Sequence, residues 1–145
     1  MPRSWVFGAF VLAVGLASGI LGSSQDLLWD IYGGAAWAAT DAAFTPQGFA
    51  AAQREGKPIL VYISASWCPT CAVQKPVLDQ LMETPEFHDL AVFRIDFDTQ
   101  KDFVRAVGAQ TQSTLIVFRG TTERGRLVGD TDRDAIKALL ERAYE

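Results

Sequence analysis

Between Lys57-Pro58 and Ala65 lies ILVYIS (residues 59–64), an almost continuous apolar run rich in β-branched side chains. Such a run marks a strand covered on both faces, because a half-exposed strand would alternate apolar and polar residues. The usual cover is a layer of helices on each side of the sheet, so this one stretch already points to an α/β chain.

The elements around it fit that frame. Thr45-Pro46 ahead of QGFAAAQRE and Gly56 supplies an N-cap, a proline in the first turn and a terminal glycine, which predicts a short helix. From Pro69 to about Met82, Val73, Val77 and Leu81 recur at helical spacing, with an expected kink at Pro76. Thr84-Pro85 opens a turn, and AVFRIDF (91–97) alternates as a second strand. Asp98 or Thr99 is expected to cap a helix carrying Phe103, Val104 and Val107 before Gly108. TLIVF (114–118) predicts a third strand, joined through residues 119–122 to a fourth at about 124–128 as a hairpin. Thr131 to Asp134 resembles a capping box ahead of an amphipathic terminal helix with Ile136, Leu139, Leu140 and Tyr144. The predicted architecture is a central mixed four-stranded sheet with parallel crossovers and one antiparallel hairpin, flanked by helices on both faces.

Residues 1–38 read differently from residues 39–145, which have the size of one domain with its own core. Arg3 precedes an uncharged apolar run from Trp5 to Leu21, and Asp26 and Asp30 follow it. Gly8, Gly15 and Gly19, with no polar face, argue against a buried core helix. The run is expected to be a signal peptide or an N-terminal membrane anchor. Ala36-Trp37-Ala38 offers a cleavage site, and an uncleaved run of this length just spans a bilayer. Either outcome, with the positive charge inside, puts the domain in the periplasm, touching the membrane only through residues 5–21 if they are retained. Acidic and basic residues are interspersed at a net charge of −4 without a basic cluster, so no nucleic-acid partner is expected.

Both cysteines, Cys68 and Cys71, fall in WCPTC between the buried run and the helix after it. As an inert staple they would close so short a loop that the gain is only about 2 kcal/mol. As a metal hook they lack partners: zinc wants four ligands, and the single histidine, His88, reads as a surface residue, so only a site shared by two chains would close. As a redox centre they are well placed. Cys68 falls at a helix N-terminus, where unpaired N–H groups and the macrodipole stabilise a thiolate and lower its pKa below the free value of about 8.5. Cys71 lies one turn on and on the same side, placed to resolve a mixed disulfide. Pro69 removes a donor and presets helical φ, Thr70 is small and polar, and Trp67 offers an apolar docking surface beside an accessible thiol.

These residues resemble a known family. Trp67-Cys68-Pro69-Thr70-Cys71, the proline five residues after the second cysteine, the strand VFRIDFD, then STLIVFRG and the late glycine of LVGD make residues 44–144 similar to a thioredoxin-like domain. The opening GKPILV is similar to the C-terminal domain of bacterial membrane thiol-disulfide reductases. The resemblance implies the thioredoxin fold, Cys68 as the attacking and Cys71 as the resolving cysteine, and partners docking over Trp67, Pro69 and the loop at Ser113-Thr114. It implies no metal and no organic cofactor.

Two positions depart from the family pattern. Where the family carries a cis-proline before the third strand, this chain has Ser113, for which a cis bond would cost roughly 3 kcal/mol or more, so a trans peptide is expected and the hydroxyl or N–H is free to meet the Cys68 sulfur. Where cytoplasmic thioredoxins carry a buried acid, this chain has Tyr62, a poor base near neutral pH that reads as core. The expected function is an exported, monomeric thiol-disulfide oxidoreductase that reduces protein disulfides and is recharged by a membrane thiol-disulfide reductase. The alternative is a binding protein without turnover, such as a dimer-bridged iron-sulfur or metal site made possible by Ser113.

Overall fold

The computed structural model describes residues 42–145; the apolar run at 5–21 and the cleavage motif at 36–38 lie outside the described residues. Five strands form one sheet in the order β1-β3-β2-β4-β5. They are β1 (Ala42–Ala43), β2 (Pro58–Ser64), β3 (Ala91–Asp96), β4 (Thr114–Arg119) and β5 (Thr122–Val128). The four expected strands are present, and β1 adds a two-residue edge. β2 and β1 each run parallel to β3, whereas β4 is antiparallel to both β2 and β5. Four helices pack on the sheet: α1 (Pro46–Arg54), α2 (Pro69–Met82), α3 (Lys101–Ala106) and α4 (Arg133–Glu141). Among the described residues no helix is long and apolar enough to cross a membrane.

The unbroken apolar run of β2 exists because its two faces feed two cores. Leu60 and Tyr62 join Leu115 and Val117 of β4 under α2 and α4, with Leu78, Leu81, Ile136 and Leu140. Ile59, Val61 and Ile63 face the other way, with Phe93, Ile95, Ile116 and Phe118, where Phe44, Phe49 and Phe103 close over them. That second face is an aromatic stack: Phe49 meets Phe93, Phe103 and Phe118 edge-on at centroid distances of 5.5, 5.1 and 5.8 Å, a favoured geometry for aromatic pairs.

Local details correct the sequence reading in four places. The buried stripe of α2 is Cys71, Gln74, Leu78 and Leu81; of the expected face Leu81 is buried and Val77 packs against the core, but Val73 is 53% exposed. Neither Asp98 nor Thr99 caps α3, because Asp96 has already gathered that loop, its Oδ1 accepting from the Asp98 and Thr99 N–H groups and from the Thr99 hydroxyl. The cap of α4 is Asp132, which accepts from Ala135 N–H at 2.8 Å, one residue later than the Thr131 box. The hairpin is tighter than expected: Arg119 pairs with Thr122, so only Gly120 and Thr121 turn the chain, and Gly120 sits at φ 57°, which glycine adopts without a Cβ clash. The first helix is as read, with Thr45 accepting from Gly48 N–H at 3.1 Å.

Candidate active site

The end of β2 delivers the chain to α2 through Ala65-Ser66-Trp67, and Cys68 N–H donates to the Ala65 carbonyl at 3.2 Å. Cys68 is the N-cap of α2, with extended backbone angles, and its Sγ accepts from Cys71 N–H at 3.1 Å. A sulfur thus takes the place that a serine or aspartate oxygen usually holds at a helix start. Pro69 follows in the first turn, where its missing N–H costs nothing. Cys68 and Cys71 are joined as a disulfide with Cα atoms 5.3 Å apart. The sequence suggested an accessible thiol, but Cys68 as a whole is only 3% exposed, because Ser113 and the first turn of α2 pack against its sulfur.

Ser113 stands across from the pair. No peptide bond among the described residues is cis, and Ser113 has φ 58°, the left-handed region that serine rarely occupies. Its Oγ lies 2.9 Å from Cys68 Sγ and 3.1 Å from Cys71 Sγ. The backbone strain is held by two donors on the Ser113 carbonyl, Gly129 N–H at 2.9 Å and Gln74 Nε2 at 3.3 Å. Gln74 is fully buried and its Nε2 also donates to the Asp130 carbonyl at 2.6 Å, which fixes the amide orientation and leaves Oε1 unpartnered. The sequence reading missed Gln74. Its only trace there is a polar residue at a spacing of three from Cys71, inside a stripe otherwise apolar.

The remaining named residues divide. Trp67 is 58% exposed, and its Nε1 donates to Asp98 Oδ2 at 2.7 Å, which ties the indole beside the motif. Pro69 is exposed and Thr70 half-buried. Thr114 is buried, and its hydroxyl donates to the Thr111 carbonyl at 2.7 Å, so its side chain ties the loop ahead of β4. Tyr62 is core, as read: its hydroxyl donates to the Cys71 carbonyl at 3.1 Å. Burial pushes the Tyr62 pKa up, with nearby Arg94 opposing and Asp79 adding, so the phenol stays a donor at neutral pH. Among the described residues no group of three or more His, Cys, Asp or Glu side chains is arranged around a common ion.

With this geometry in view, comparison with known proteins decides the family. The Thioredoxin family model matches residues 40–142. This chain belongs to the thioredoxin family. The thioredoxin of Mycobacterium tuberculosis is 32% identical over 97 residues, covering 67% of this chain and 79% of that protein. Thioredoxin H2-1 of Oryza sativa is 31% identical over 84 residues, covering 58% of this chain and 59% of the rice protein. A bifunctional thioredoxin reductase/thioredoxin of Mycobacterium leprae is matched over only 20% of its length. Among solved structures, Trxlp from Edwardsiella tarda is 38% identical with a TM-score of 0.66, covering 68% of this chain and 95% of that one.

Members of the thioredoxin family are thiol-disulfide oxidoreductases, and in this member the cysteine pair that such chemistry needs is Cys68–Cys71. At the two positions singled out as departures, the chain has a trans, left-handed Ser113 and a buried phenol at Tyr62.

Proposed function

We propose that this thioredoxin-family protein reduces protein disulfides outside the cytoplasm, with residues 39–145 as the working domain and 1–38 as its export signal or membrane anchor. The observation that carries the reading is the Cys68 sulfur at the N-cap of α2, accepting Cys71 N–H at 3.1 Å. In the reduced protein that position stabilises negative charge on Cys68. The Cys68 thiolate attacks a substrate disulfide, forming a mixed disulfide and releasing one substrate thiolate, which takes a proton from water. Cys71 then loses its proton and attacks Cys68 Sγ, the Cys68–substrate bond breaks, and the second substrate sulfur leaves as a thiol. Two electrons have passed to the substrate, and the Cys68–Cys71 disulfide remains.

The reductive direction is supported by compactness: among the described residues the elements follow one another without the inserted helical domain that oxidants of this fold usually carry. A reductant in an oxidising compartment needs its own electron supply, and a membrane thiol-disulfide reductase is the donor class that fits an exported or anchored domain. The protein acts as a monomer in this reading. Trapping tests it: a Cys71→Ser variant expressed with its leader should accumulate mixed disulfides through Cys68 with exported proteins. A variant whose Cys68 alkylates normally yet captures no periplasmic protein would contradict the reading.

A further inference from the structure

The resolving step leaves one proton without an obvious acceptor. Cys71 must lose it, yet the nearest titratable side chain from β2, Tyr62, is a donor to the Cys71 carbonyl and is held protonated by burial. Asp98 is engaged with the Trp67 indole, and Asp130 approaches only through its backbone carbonyl on Gln74. The polar side-chain atom that does meet Cys71 Sγ is Ser113 Oγ at 3.1 Å, and the same atom meets Cys68 Sγ at 2.9 Å.

We infer that Ser113 is a catalytic residue of the thiol chemistry, its hydroxyl serving as the proton relay that takes the Cys71 proton. This rests on the reading of Cys68–Cys71 as a working dithiol. In the reduced state the hydroxyl donates to the Cys68 thiolate and accepts from the Cys71 thiol, so one hydroxyl orders which sulfur carries the charge. In the resolving step the Cys71 proton passes to Ser113 Oγ while the Ser113 O–H proton passes to solvent, and the substrate sulfur departs as a thiolate that protonates there according to its own pKa. The Cys71–Cys68 bond forms, the Cys68–substrate bond breaks, and Ser113 ends as it began. The left-handed backbone at φ 58° turns the hydroxyl onto both sulfurs, and a residue held in so rare a conformation by two donors on its carbonyl is a mark of a functional constraint. Gln74 is then a positioning residue: it touches no sulfur in this arrangement and acts by clamping the Ser113 carbonyl.

The test is stopped-flow reaction of the reduced protein with an excess of a chromogenic aryl disulfide, which frees one coloured thiolate on attack and a second on resolution. Ser113→Ala removes the hydroxyl, and Ser113→Gly removes it while also relieving the backbone strain at φ 58°, so loss of the hydroxyl is read with and without that strain. The expected result is a second phase slower by at least about tenfold in the folded variant, with the first phase changed less. Moreover, its rate should rise with pH where the wild type is flat. A folded variant whose second phase matches the wild type in rate and pH profile would overturn the relay while leaving the dithiol reading intact. A wild-type protein that frees no coloured thiolate would overturn the dithiol reading itself, and the relay with it.

Discussion

The two faces of this sheet are made by the same three strands and do opposite things. On one side β2, β3 and β4 contribute Ile59, Val61, Ile63, Phe93, Ile95, Ile116 and Phe118, and phenylalanines from α1, α3 and the chain ahead of α1 close the layer. The buried polar residue that strand alternation places on that side, Thr114, is satisfied within its own loop by the Thr111 carbonyl. On the other side the same strands present Leu60, Tyr62, Val92, Leu115 and Val117, but the cover includes both cysteines, and the buried polar residues Gln74 and Ser113 gather at its edge. The aromatic face can be held by area alone. The cysteine face accepts a strained Ser113 and an unpartnered Gln74 Oε1, costs that a purely structural face would shed. Both faces carry core, and the chemistry is confined to one of them.

The largest effect should come from the cysteine face. Cys68→Ser should abolish reduction of protein disulfides completely, measured as thiol release, because the remaining sulfur, Cys71, lies inside α2, away from the N-cap that stabilises the attacking thiolate. Next comes the opposite face. Phe93→Ala should cost about 3–5 kcal/mol in urea denaturation, while Cys68 alkylation in the folded fraction stays unchanged. If that alkylation rate moved as well, the separation of the two faces would break down.

Tyr62→Phe should cost about 1 kcal/mol, the worth of one buried hydrogen bond to the Cys71 carbonyl. It also has a pH signature. Burial raises the folded pKa of Tyr62, so its contribution is fully present below the unfolded value of about 10 and is lost as pH rises through the folded value. The variant should therefore lose less stability than the wild type in alkaline urea titrations, while burial and Asp89 keep the pKa of Tyr144 raised in both. The smallest stability change is expected for Gln74→Met, under about 1 kcal/mol, since the lost bonds are offset by removing a buried unpartnered oxygen. Its resolving step should nevertheless slow, because the Ser113 carbonyl keeps only Gly129 N–H.

Much of this division is readable in the sequence. The unbroken run of β2 announces two covered faces, and WCPTC after it announces the chemistry, because both signals are local and carried by residue type. What stayed hidden depends on rotation and on competition. Cys71 must face the sheet to meet Cys68, and that turns α2 so that Gln74 is buried and Val73 is exposed, against their polarities. The cap of α3 was misplaced because Asp96 takes the donors that Asp98 and Thr99 would otherwise organise. The pairing of Trp67 with Asp98 joins residues far apart in the chain and has no local signal. Ser113 was singled out as a departure from a resemblance, and its trans peptide and contact with the Cys68 sulfur are as expected; the contact with both sulfurs needed coordinates.

In the proposed function Cys68–Cys71 gives electrons to substrates. Equilibrating the purified domain in glutathione buffers and reading the dithiol by alkylation shift measures this directly. A reduction potential near that of thioredoxin, about −270 mV, is the predicted result; a value near −120 mV would make the pair a disulfide donor and contradict it.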